Sequence, residues 1–340
     1  MTKTPATFSL ILAATLGAAM PAFAEGEVNL YSSRHYDTDE QLYSDFTKAT
    51  GIKINRIEGK ADELIARMEA EGANSPADVL ITVDTSRLER AKNAGVLQAT
   101  DSAVLEERIP ANLQDSDNQW FGFSQRARII FYDKATVTNP PATYADLADP
   151  AYKGLVCIRS STNTYNQTLL ASIIENNGAE AGTAWAQGVV DNMAREPQGG
   201  DTDQLRGVIS GECGIAVANT YYFARAMSQD VDGVTAEIDK IGWVFPDQDG
   251  NGAHVNLSGG GVAAHAPNKE NAVKFLEYLA SDSAQQYFAG GNNEFPAVEG
   301  VETTSAVQKL GDFKADDVSL SAAAKQLPAA LETFNQVGWK

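Results

Sequence analysis

Histidine and cysteine are both scarce in this chain, with three of one and two of the other among 340 residues. Zinc sites of the Cys-x-x-Cys or His-Glu-x-x-His kind need more, and neither spacing occurs. A Walker loop and a Gly-x-Ser-x-Gly elbow are missing too. The nearest approach to a serine elbow is Ser258-Gly259-Gly260-Gly261, where Asn256 stands two places before the serine. Such a run either cradles an anion or marks a strand turn or close packing. These absences argue against an enzyme. Basic residues are also in deficit, 26 against 45 acidic, for a net charge of −19. That surface repels phosphate backbones and anionic lipids, so neither nucleic acid nor a membrane is an expected partner.

Long hydrophobic runs are missing apart from residues 8–19, and a bilayer span takes about 20 residues. Lys3 before that run, Pro21 after it and Ala22-Phe23-Ala24 beyond make a three-part export signal. The expectation is a cleaved signal peptide over residues 1–24, a mature chain from Glu25 and a periplasmic location. No cysteine near the cleavage point offers a lipid anchor. Cleavage would remove only one charged residue, Lys3. The mature chain is longer than the about 250–300 residues at which a single core stops growing, so two lobes are expected. In an oxidising compartment Cys157 and Cys213 read as one disulfide. Each sits in a short apolar run, and neighbouring strands would bring them together. Such a loop closure stabilises by about 4 kcal/mol in the chain-entropy view. The alternative is two buried free thiols.

Along the chain, strand-like and helix-like segments alternate. Residues 28–31, 52–57 and 78–83 read as strands. Between them Asp37 and Glu40 form a capping-box pair, Leu42, Phe46 and Ala49 give an apolar stripe, and Gly51 ends that helix. Leu64, Ile65 and Met68 mark the next helix, and Leu88, Ala91 and Gly95 another. The texture repeats in the middle, with strands at 155–158 and 214–218 and helices at 169–174, 179–193 and 205–209. Ala272, Phe275, Leu276 and Leu279 give a later stripe. The order predicts an α/β protein with mainly parallel central sheets and helices on both faces. Extended stretches at 123–132 and 242–246 could cross between lobes. The expected division is 25–125 plus about 250–300 for one lobe and 126–249 plus about 301–340 for the other, with the ligand cleft between them.

Tyrosine placement carries the chemistry. His35-Tyr36 follows the first strand, Tyr165 follows the strand at 155–158, and Tyr221-Tyr222 follow the strand at 214–218. All lie just beyond strand C-terminal ends, the edge where open α/β sheets bind ligands. A phenolate is a hard anionic donor suited to a small, highly charged cation such as ferric iron. A free tyrosine has a pKa of about 10, so a metal must displace its proton. Three tyrosinates neutralise Fe(III), and a fourth calls for a cation, for which Arg225, Arg128 and Arg34 are available. The residues alone leave open the plainer reading, half-buried packing tyrosines among eleven.

Three stretches resolve this by resemblance: 29–36 ending in His35-Tyr36, 75–79, and 218–222 ending in Tyr221-Tyr222. With 120–123, 195–199 and 292–296 in support, the chain resembles, over essentially its whole mature length, the ferric-iron-binding periplasmic proteins of ABC importers. The resemblance implies a two-lobed periplasmic solute-binding fold and Fe(III) as the transported ligand. The partner it implies is an inner-membrane ABC permease, served by a monomeric carrier. One branch of that family has a cleft glutamate where this chain has Val83, followed by Asp84. The chain is more similar to the tyrosine-rich branch, which implies His35, Tyr36, Tyr165, Tyr221 and Tyr222 as ligands. By that likeness Tyr36 comes from one lobe and the other three tyrosines from the second. The competing function is a carrier of a small organic cation, a polyamine or thiamine, held in a tyrosine cage by cation–π attraction.

Overall fold

The computed structural model of the chain describes Met1, residues 26–34 and residues 39–340. The expected signal peptide, the start at Glu25, the Asp37 cap and the His35-Tyr36 pair lie outside the described residues.

Among the described residues nine strands follow in chain order: β1 (Gly26–Ser32), β2 (Ile52–Glu58), β3 (Val79–Thr82), β4 (Phe121–Asp133), β5 (Val156–Cys157), β6 (Ile215–Asn219), β7 (Ile241–Val244), β8 (Val255–Val262) and β9 (Phe295–Pro296). Their spatial order is β2-β1-β3-β8-β4-β6-β5, with β7 and β9 both on β4. The outer strands β2, β1 and β3 are mutually parallel, as are β5 and β6. Helices Asp39–Thr50 and Ala61–Glu71 supply the crossovers that parallel pairing requires. In the first of them Leu42 and Phe46 are buried as the stripe predicts, while Tyr43 rather than Ala49 completes the buried face.

The strands between the parallel groups run antiparallel. β4 holds the molecule together: its first half, Phe121–Ala127, pairs with β8, and its second half, Arg128–Tyr132, pairs with β6. β8 runs on to pair with β3. The crossing expected at 123–132 is therefore β4. The return crossing is β8 and not the stretch at 242–246, since among the described residues β7 pairs only with Ile130–Asp133 at the far end of β4. The glycine run deprives β8 of the side-chain alternation that marks the other strands. A Cβ on Gly259 would come 2.5 Å from the Phe121 carbonyl oxygen, and one on Gly261 would come 2.1 Å from that of Gln119. Close backbone approach, not anion binding, is what these glycines serve.

The core divides along the same lines. One cluster joins Leu30, Phe46, Leu80 and Trp120 with Leu257, Phe275 and Leu276. Two others, one around Phe131 and Phe223 and one around Leu169, Trp185 and Phe334, fill the opposite end on the two faces of β6. The fold is the two-lobed periplasmic solute-binding arrangement with its cleft between the lobes. The disulfide joins Cys157 and Cys213 across Cα atoms 5.8 Å apart. Cys157 ends β5, whereas Cys213 precedes β6 and donates its amide to Gly207.

Candidate functional site

Both parallel strands of the second lobe deliver their chains to the same sheet edge. After β5 the chain turns through residues 158–163 into the helix Thr164–Asn177, where the Asn163 side chain caps the first turn by accepting from the Tyr165 amide at 3.1 Å. After β6 it enters the helix Thr220–Ser228 directly. Tyr165 and Tyr221-Tyr222 thus occupy the first turns of the helices that follow two neighbouring strands, at the positive ends of their dipoles.

The Tyr165 and Tyr221 hydroxyl oxygens are 3.2 Å apart. The Tyr221 and Tyr222 rings stack with centroids 4.2 Å apart and planes 30° apart. The two rings thus lie side by side although consecutive helical residues leave the axis about 100° apart. Tyr221 is buried and the other two are half-buried. Burial pushes the Tyr222 phenol well above its ordinary pKa. Repulsion from Tyr165 and Asp201 adds to this, while a hydrogen bond from Tyr221 and the charge of Arg159 oppose it. A cation that binds Tyr222 has to displace a firmly held proton.

Arginines line the tyrosine cluster. The guanidinium carbons of Arg126, Arg128 and Arg159 lie 5.9, 5.9 and 5.5 Å from the Tyr165 ring centre. Arg225 lies 5.4 Å from that of Tyr222. Arg128 is anchored by Asp201 at 3.2 Å, Asn219 at 3.1 Å and Asn166 at 2.7 Å, and Arg159 reaches the same carboxylate at 3.8 Å. Arg126 contacts Glu294 at 3.7 Å, Ser258 at 3.1 Å and the Val83 carbonyl. Arg34, 2 % exposed, pairs with Asp39 and Glu294. Of the three arginines singled out from the sequence, Arg128 and Arg225 stand at the tyrosines, while Arg34 belongs to the first lobe's ion-pair network. Arg126, Arg159 and Asp201 were missed. Arg126 and Arg128 left a signal: they alternate along one face of a buried strand, where an arginine has no place without partners.

A pocket of about 540 Å³ is lined by Ser33, Arg34, Lys60, Asp84 and Arg87 and, on the helix that carries Tyr165, by Thr164. Arg87 donates to the Thr164 hydroxyl at 2.9 Å, and Asn256 on β8 bridges Asp84 and Thr168. Asp84, which follows the position of the cleft glutamate, caps the helix Thr85–Asn93 by accepting from the Ser86 amide. Its carboxylate is thus committed to backbone and to Asn256. Among the described residues no three His, Cys, Asp or Glu side chains come together as a metal site. The donors that do converge are phenolic.

Comparison with known proteins bears on the whole chain. Residues 41–315 match the family described as bacterial extracellular solute-binding protein. The chain is 50 % identical over 315 residues to Iron uptake protein A1 of Synechocystis sp., spanning 92 % of this chain and 88 % of that protein. It superposes with a TM-score of 0.89 and 51 % identity on the Trichodesmium protein IdiA (FutA) in complex with iron and citrate, over 93 % of this chain and all of that one. The ferric binding protein from Campylobacter jejuni is 41 % identical, with a TM-score of 0.85 over 92 % of this chain and all of that one. With its fold and most of its length so matched, the chain belongs to the bacterial extracellular solute-binding proteins.

Proposed function

We propose that this protein captures Fe(III) in the cleft between its lobes and delivers it to an inner-membrane ABC-type permease. The observation that carries the reading is the convergence of the Tyr165 and Tyr221 hydroxyls at 3.2 Å with Tyr222 stacked alongside. Loss of their protons on binding would give three hard anionic donors for one ferric ion. His35 and Tyr36, which follow the C-terminal end of β1 in sequence, are the proposed complement from the first lobe. The lobes are proposed as 25–125 plus about 250–300 and 126–249 plus about 301–340. Relatives named for iron uptake and ferric-iron binding support the same cargo. They are carriers, and we assign this chain no turnover. Among the described residues no helix is long and apolar enough to cross a membrane. The working form is proposed to be a monomer in the periplasm, placed there by a signal peptide over residues 1–24.

A tyrosine cage for an organic cation fits less well. Three guanidinium groups within 6 Å of the Tyr165 ring would repel a polyamine or thiamine. The same charges offset the surplus negative charge that four tyrosinates bring to one ferric ion. The test is a visible spectrum with metal analysis on the protein as purified. Tyrosinate-to-iron charge transfer should colour it orange-red at one iron per chain. Ferric loading without such a band would remove the tyrosines from the shell, and tight polyamine binding by iron-free protein would favour the cage.

A further inference from the structure

The stretch 158–163 carries Arg159 and leads from β5 into the helix that holds Tyr165, and it is irregular backbone. Its position therefore depends on which groups take its main-chain hydrogen bonds. Two of these go to residues far along the chain. The Trp339 indole Nε1 donates to the Arg159 carbonyl at 3.0 Å, and the Ser161 amide donates to the Lys340 carbonyl at 2.9 Å. We propose that Trp339 and Lys340 clasp this stretch and thereby position Tyr165 and Arg159 for the ferric ion, a role that rests on the iron reading above.

The clasp is itself held in place. The helix Leu327–Val337 ends at Gly338, whose φ of 69° turns the chain so that the Trp339 amide donates to the Phe334 carbonyl at 3.0 Å. The Trp339 ring, 4 % exposed, meets Phe334 edge-on with centroids 5.0 Å apart and lies 5.9 Å from the Trp185 ring. Packing of that kind leaves the indole little freedom, so its N–H meets the loop from a fixed base. Lys340 adds an ion pair with Glu196 at 2.6 Å, but both side chains are exposed and the pair contributes little.

From the Arg159 carbonyl the contacts continue to the tyrosines. Asn166 donates to the same carbonyl at 2.6 Å, and its side-chain oxygen accepts from Arg128 at 2.7 Å. Arg128 and Arg159 share the Asp201 carboxylate, and both guanidinium groups flank the Tyr165 ring. The same stretch supplies Asn163, which caps the Tyr165 helix. Trp339 thus fixes a backbone point to which a proposed ligand, its arginine neighbours and its helix start are all tied. Ring packing and loop clasping are separable here, because Trp185 packs in the same cluster and sends its N–H to the Tyr144 carbonyl at 2.7 Å.

Trp339→Phe keeps an aromatic ring and deletes the N–H. Asn166 still donates to the Arg159 carbonyl, so the fold should survive. In iron-free full-length protein, hydrogen exchange at the Ser161 amide and its neighbours should quicken relative to the parent. In ferric-loaded protein the tyrosinate charge-transfer band should shift, and iron should pass to citrate about three- to tenfold faster, the span of one net hydrogen bond. Trp185→Phe should lower the urea midpoint while leaving the band, the transfer rate and Ser161 exchange parental. Parental exchange in Trp339→Phe would overturn the clasp. Faster exchange with a parental band and transfer rate would overturn the positioning role, as would an equal band shift in Trp185→Phe. A parent protein that loads ferric iron without a tyrosinate band would sink the iron reading and the positioning role with it. The exchange measurement uses no iron, so it would then still show whether the loop is clasped.

Discussion

The hydroxyl of Tyr165 and that of Tyr221 meet at 3.2 Å although 56 residues separate them in sequence. Parallel pairing of β5 with β6 makes this possible, because it sends both following helices off the same edge of one sheet. Removing one oxygen tests the pair most directly. Tyr165→Phe, Tyr221→Phe and Tyr222→Phe should each lower ferric affinity by more than the roughly 10–100-fold that loss of an outer-shell partner costs. Stability should fall by only about 1 kcal/mol, the worth of one hydrogen bond. Competition against citrate and urea unfolding measure the two quantities, and a variant with parental affinity would not be a ligand.

Acid should release the iron. The Tyr222 phenol holds its proton more firmly than a free tyrosine, chiefly through burial, so proton and metal compete throughout the neutral and acidic range. Ferric retention should decline steadily as pH falls while circular dichroism still reports a folded chain. Retention that stays flat down to the unfolding point would count against tyrosinate coordination.

A different group sets the stability of the iron-free protein in acid. His254 is neutral in the folded state, where burial and the charges of Arg128 and Arg126 lower its pKa to about 3, whereas an unfolded histidine titrates near 6.5. The folded pKa of this base is depressed, so its contribution is intact above about pH 6.5 and is lost as pH falls from there towards 3. By pH 5 the loss from this residue should reach about 2 kcal/mol. Urea midpoints measured between pH 7.5 and 5, as about one-unit steps, should slope less in His254→Leu than in the parent. Parallel slopes would assign the acid sensitivity elsewhere.

Asp201 supports the site from behind. Its carboxylate is fully buried, pairs with Arg128 and Arg159 and accepts from the Asn219 amide at 2.9 Å. Asp201→Ala leaves Arg128 buried without its main counter-ion, which should cost about 3–5 kcal/mol. Asp201→Asn keeps the amide contact and should cost less. Equal and small losses in both variants would show that Asn166 and Asn219 satisfy Arg128 by themselves.

Closure is the last expectation. The proposed donors belong to two lobes, so only the closed arrangement offers them all to one ion, and a ligand shifts such an equilibrium through that difference alone. X-ray scattering should give a smaller radius of gyration with iron than without it. Tyr36→Phe should reduce the compaction more than it alters the apo shape. Identical profiles with and without bound iron would discard closure and leave the tyrosine cluster standing.

Much of this molecule can be read from local pattern. The alternation that yields β1, β2 and β3 and the stripe of Leu42 and Phe46 are visible because pleat and helix periods repeat within a few residues. Val156-Cys157 and the run before Tyr221 are visible as short apolar strands for the same reason. The position of each tyrosine just past a strand needs no tertiary information either.

Other features depend on residues far apart in the chain. Gly259 to Gly261 look like a loop until the neighbouring carbonyls show that nothing larger fits the strand, and so the return crossing falls on β8 rather than on residues 242–246. Arg159 and Asp201 look like surface charges until folding places them at 3.8 Å beside Arg128. The α/β alternation, the tyrosines and their placement at strand ends are legible without any fold, since each is a matter of residue type and short-range period. Which hydroxyls meet, which arginines face them and which carboxylates hold those arginines emerge with the folded chain alone. Those choices depend on strand pairing across dozens of residues and on the cost of burying a charge without its partner.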